Sequence, residues 1–220
     1  MAVVIALLSL LLMSALGAAL VLTTSSESMI AANFGGAQEG LYAADAVLER
    51  AVDDLAAIAD WNGVLAGATR SAFVDGAPGG VRPLADGSLL DLDAMLNLAN
   101  CRQTGTCSQS ALTAITSSRP WGANNPIWQL FAYGRLASLL PAGMIESAYY
   151  VVVMAADDHA ETDGDPRRDG DTAENPGSGV LSLRAQAFGP RSVRQLIELT
   201  VARAAPDAPE MRIVAWRLIR

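Results

Sequence analysis

The pattern of apolar and polar positions divides this chain into three parts. From Met1 to Leu22 (MAVVIALLSLLLMSALGAALVL) no side chain is charged, and only Ser9, Ser14 and Gly17 interrupt the apolar run. As a helix it would extend ~33 Å, about the thickness of a bilayer's hydrocarbon core. From Glu27 to Asp60 there is no proline, and Leu41, Ala44, Leu48, Ala51, Leu55 and Ile58 step by three and four to make one apolar stripe. Glu49, Arg50, Asp53 and Asp54 lie mostly off it, and the i,i+4 pair Arg50–Asp54 adds only a few tenths of a kcal/mol. One continuous helix of roughly 60 residues, ~90 Å, is therefore predicted. Residues 1–26 form its transmembrane half, and residues 27–60 an exposed amphipathic half that packs on a globular domain at 61–220. Gly35 and Gly36 fall inside this helix, where each costs up to ~1 kcal/mol relative to Ala. They are either a tolerated weak spot or a place where the helix bends or melts on repacking.

From Trp61 to Ser88 the periodicity fails and glycine and proline gather (Asp75-Gly-Ala-Pro-Gly-Gly80, Pro83, Asp86-Gly87), which predicts a loop region. Ser88 with Asp91 reads as a capping box opening a helix over 89–99, and Ser108 as the cap of a second helix over 109–116. After the turn cluster at 120–126, a short strand is expected over 127–133. Trp121, Trp128, Phe131 and Tyr133 suit a core, with ring stacking on a ligand as the alternative.

The last third has strand periodicity. Ser147 to Ala156 is an unbroken run of β-formers, as in a strand buried on both faces. Over 180–188, Leu181, Leu183, Ala185 and Ala187 alternate with Ser182, Arg184 and Gln186, and strands over 192–202 and 211–219 follow. Short turns between them predict antiparallel neighbours. The fold class expected is α+β: a long amphipathic helix laid on an antiparallel sheet.

Residues 1–60 resemble the N-terminal region of type IV pilin-like proteins, specifically PilX-type minor pilins. The likeness rests on MAVVIALLSLLLMSALGAAL, on the segment Glu27-Ser-Met-Ile-Ala-Ala-Asn33, and on Gln38-Glu-Gly-Leu-Tyr-Ala-Ala-Asp-Ala-Val-Leu-Glu-Arg50. It covers about a quarter of the chain and implies a pilin-like fold. It also implies a subunit held in the inner membrane by a single pass, with its head in the periplasm, until it enters an extracellular filament. Its partners would be other pilin and minor pilin subunits, packed through Ile5, Leu8, Leu12, Leu16, Gly35 and Gly36. Two departures stand out. Family members begin with a short basic leader ending in Gly, removed by a prepilin peptidase; here no such leader is seen, so Met1 is the mature first residue or the start lies upstream. Most pilins also carry Glu where this chain has Ile5, and that Glu sets register by pairing with a neighbour's terminal amine. Its loss points to a minor, initiating or tip-proximal subunit.

Composition narrows the chemistry. A net charge of −8 argues against a nucleic-acid partner. All basic residues are Arg, and there are two Cys and one His. Cys101-Arg-Gln-Thr-Gly-Thr-Cys107 favours a local disulfide contributing about 2 kcal/mol, with a metal site the lesser alternative because two thiolates need further ligands. Asp157, Asp158, Glu161, Asp163, Asp165, Asp169, Asp171 and Glu174 crowd one loop against Arg167 and Arg168. A mobile, solvated hairpin loop is the expected reading, with Ca²⁺ as the lesser alternative: Asp163-Gly-Asp165 and Asp169-Gly-Asp171 offer it closely spaced oxygens without matching an EF-hand. No Gly-x-Ser-x-Gly elbow, His-Glu-x-x-His or phosphate-binding glycine loop occurs, so no cofactor and no enzyme activity is expected.

Two other readings stay open. An anchored periplasmic binding or adhesion module would share the helix without assembling. A secreted enzyme with an atypical signal peptide would be cleaved near the small residues Ala15 to Ala18, although the apolar run is long for a signal and no basic residue precedes it.

Overall fold

The computed structural model describes residues 1–141, 143, 144, 146–161, 163–170, 177–204 and 210–219. It consists of two compact units, Met1–Gln38 and Glu39–Arg220. The helix α1 runs over Ala2–Ala56, 55 residues. It ends a few residues before the expected Asp60, where Trp61 Nε1 and Ile58 N both donate to the Leu55 carbonyl. Residues 39–56 of α1 belong to the same compact unit as the sheet.

In order after α1 come α2 (Asn62–Leu65), β1 (Val81–Pro83), β2 (Leu89–Asp91), α3 (Leu92–Cys101), α4 (Gln109–Leu112), β3 (Gln129–Arg135), β4 (Tyr150–Asp157), β5 (Val180–Phe188), β6 (Arg194–Arg203) and β7 (Met211–Ile219). Strands β3 to β7 form one sheet in sequence order, antiparallel throughout. The larger unit is therefore α+β, as the alternation and short turns predict.

Its core has two sides. On one, Ala44, Leu48, Ala51 and Leu55 of α1 pack with Val151, Val153, Leu181, Leu183, Ala185 and Ile197 of the sheet. On the other, Leu92 and Met95 of α3 pack with Trp128, Tyr133, Tyr150, Val152 and Met154. Strand β4 lies between, and every one of its residues is buried, which is why its sequence shows no polar alternation. The expected stripe on α1 is thus the buried one, and Phe131, Tyr133 and Trp128 are core. Helix and sheet come close at Gly40, where an added Cβ would stand 2.9 Å from Gln195 Cγ and 3.3 Å from Tyr149 Cε1.

The stretch expected as a loop over 61–88 holds more structure. Asn62–Leu65 is a short helix, and Val81–Pro83 pairs antiparallel with Leu89–Asp91 across the Asp86-Gly87 turn. Ser88 is therefore not a helix cap. Pairing commits residues 89–91 to the hairpin, and Asp91 caps α3 instead, accepting from Ala94 N at 3.0 Å. Ser108 does cap α4, but that helix stops at Leu112 rather than Thr116.

Cys101 and Cys107 are joined in a disulfide that closes the loop after α3. Reduction should lower unfolding free energy by about 2 kcal/mol, the loop-closure value for so short a ring. Paired denaturant titrations with and without reductant, in the wild type and in a Cys101→Ser, Cys107→Ser double variant, would measure it. Equal stability of reduced and oxidised wild type would refute that value.

Candidate functional site

The first unit supplies the most extensive feature. Side chains from Met1 to Leu22 are exposed, among them Ile5, Leu8, Leu12 and Leu16, each more than half accessible. They are apolar groups with no folded partner inside the unit. The span is long and apolar enough to cross a membrane. Just after it, Thr23 and Thr24 return their hydroxyls to the Leu20 carbonyl, both at 2.9 Å. This satisfies the hydroxyls inside the helix where polar side chains begin. At Gly35 an added Cβ would meet nothing within 4 Å. The glycine is thus not demanded by packing inside the folded chain.

The second feature is built from the acidic run. Strand β4 carries Asp157 to its buried end, a turn returns Glu161 over it, and Asp169 approaches from further along the loop. One carboxylate oxygen from each lies within 4.8 Å of the others. Asp157 and Glu161 are almost wholly buried, at 3% and 1% exposure. Local bonds hold the arrangement: Asp158 N donates to Asp157 Oδ1 at 2.9 Å, Gly179 N to Asp169 Oδ1 at 2.7 Å, and Asp169 N to Asn62 Oδ1 at 2.9 Å. Gly177 presses against Glu161, where an added Cβ would come within 2.6 Å of its backbone N.

Of the four aspartates suggested as calcium ligands, Asp169 joins this cluster. Asp163 and Asp165 are exposed and accept from the backbone, Asp165 N to Asp163 Oδ1 and Arg167 N to Asp165 Oδ1, at 2.8 and 3.3 Å. Asp171 lies outside the described residues. The reading of the run as a uniformly solvated loop missed Asp157 and Glu161; the available signal was that Asp157 closes a strand with no polar alternation.

Burial pushes all three acids above the ordinary carboxylate range. For Asp157 it is reinforced by the Glu161 charge and by the hydrogen bond between the two side chains. For Glu161 the Asp163 charge adds to burial, while the bond from Asp157 opposes it. For Asp169, burial outweighs the Gly179 amide and the nearby Arg203. Because these folded-state values exceed the unfolded ones near 4, the native state holds more protons between the two. Their contribution is most favourable below about pH 4 and is lost as pH rises through the raised values. Asp157→Asn should therefore stabilise the fold at pH 8 by about 1–2 kcal/mol and flatten the decline. Urea unfolding at several pH values would show it; an unchanged slope would mean that the Asp157 carboxyl is not held above its ordinary range in the folded state. Three such oxygens also form a donor set suited to a hard divalent cation.

Compared with known proteins, the chain matches no protein-family model, no curated protein and no solved structure.

Proposed function

We propose that the chain is a non-catalytic, membrane-anchored, minor pilin-like subunit of a type IV pilus or a related filament-forming secretion apparatus. The observation that carries this is a single helix, Ala2–Ala56, that changes character along its length. Its beginning is apolar and exposed; residues 44–55 bury a stripe against a five-stranded antiparallel sheet. An apolar helix loses little on passing from lipid into a bundle of equally apolar helices, because both surroundings solvate it alike. Such a segment suits a subunit stored in the inner membrane and later packed in a filament core.

Within this proposal Ile5 cannot supply a carboxylate to a neighbour's terminal amine, which favours an initiating or tip-proximal place. The subunit stays in the inner membrane with its head in the periplasm, and then becomes part of the extracellular filament. Shear fractions from the native host test this. The chain should appear with filaments at far below the abundance of the main subunit, and its surface exposure should vanish when the prepilin peptidase is deleted. Near-equal abundance would refute the tip position, and surface exposure unaffected by the deletion would refute assembly.

A further inference from the structure

The face of the sheet opposite α1 carries a charged cleft that the filament proposal does not use. Its floor is a ladder across three strands. Register sets Arg184 of β5 opposite Glu198 of β6, and Glu198 opposite Arg217 of β7. Arg184 Nε donates to Glu198 Oε1 at 3.0 Å, and Arg217 Nε to Glu198 Oε2 at 2.8 Å. Both guanidinium groups engage that one carboxylate through Nε and Nη2, leaving their Nη1 edges outside the pairing.

Two more arginines line the same cleft of about 410 Å³. Arg102, at the left-handed cap of α3, is exposed on the rim and forms no ion pair among the described residues. Arg119 is 9% exposed; its Nη2 donates to the carbonyls of Leu112 and Pro126, at 3.2 and 3.0 Å, while its buried Nη1 reaches no acceptor among the described residues. Four arginines thus line a cleft in which, among the described residues, Glu198 is the one carboxylate, on a chain whose net charge is −8. A buried cation without a counter-charge is costly, and an anion brought into the cleft would offset that cost. Burial and the neighbouring Arg184 already push the Arg119 guanidinium below its ordinary range.

The remaining walls narrow the class of anion. Trp121, 39% exposed, offers an accessible ring packed at a 35° tilt against His159 with centroids 4.1 Å apart, and Trp128 is covered by Arg184 at 4.3 Å. Ser118, Ser182 and Thr200 add hydroxyl-bearing side chains to the lining, and Leu98, Ala99, Pro126 and Ala215 add apolar ones. A ring with one apolar face, several hydroxyls and a carboxylate can use the arginines, the hydroxyls and the Trp121 ring together; a bare phosphate or an aspartate side chain can use the arginines and hydroxyls but offers nothing to that ring. We propose that this cleft binds a carboxylate-bearing sugar residue, a hexuronate unit of an acidic glycan. The proposal does not rest on filament assembly, since every residue it uses lies in the larger unit.

Full-length chain in detergent micelles, titrated with a galacturonate trimer and followed by Trp fluorescence and calorimetry, tests it. The trimer should bind and weaken with added salt, and a neutral glucose trimer should not. Arg217→Gln and Trp121→Ala, both at accessible positions, should each weaken binding about tenfold while leaving the thermal melt in place. No binding by about 10 mM trimer would overturn the proposal. So would affinity unchanged in both variants, or acetate, phosphate or a triglutamate peptide binding as tightly as the trimer.

Discussion

Replacing Leu8 and Leu12 by Arg together is expected to release the chain from the membrane fraction. The two side chains lie one turn apart near the middle of the charge-free run, 63% and 61% exposed, with no buried contact to lose among the described residues. Placing two guanidinium groups at mid-membrane costs about 6–8 kcal/mol on insertion scales, enough to cancel the gain from a run of this length. Alkaline carbonate extraction should find wild type in the pellet and the double variant in the supernatant or degraded. Leu8→Phe with Leu12→Phe, as large but apolar, should stay in the pellet. A double-Arg variant that pellets like wild type would mean that anchoring resides elsewhere.

The second large effect concerns the other part of the helix. Leu48 is 2% exposed in the core between α1 and the sheet, whereas Tyr42 is 68% exposed. Leu48→Ala removes apolar area and leaves a cavity the sheet cannot close, costing about 3 kcal/mol and lowering Tm by about 10 °C. Tyr42→Ala should change stability by no more than about 0.5 kcal/mol. Circular dichroism melts of the two variants beside wild type would decide it; similar losses would mean that α1 is held by something other than its stripe.

These two effects come from the part of the molecule that sequence makes most readable. A charge-free run and an i, i+3, i+4 stripe each determine one surface without reference to distant residues, and Leu181-Ser-Leu-Arg-Ala-Gln-Ala187 does the same for a strand. Features that depend on pairing were harder to see. Val81–Pro83 and Leu89–Asp91 are too short to show a period, so their hairpin was hidden and Ser88 passed for a cap. Asp157 and Glu161 read as members of a solvated acidic run because the turn that folds Glu161 over the end of β4 leaves no periodic trace. The ladder from Arg184 through Glu198 to Arg217 needs the register of three strands. Its first step was nonetheless accessible: Arg184 and Glu198 lie equally far from Arg191 in the β5–β6 turn, and antiparallel pairing sets such residues opposite each other.

The claim that the apolar helix ends its life against like helices can be tested at one residue. A photoactivatable amino acid placed at Leu12 of the full chain, irradiated in the native host, reports what touches that side chain. Covalent products with a filament subunit in sheared filaments are the predicted result. Products confined to lipid, with none joining the chain to a filament subunit, would contradict it.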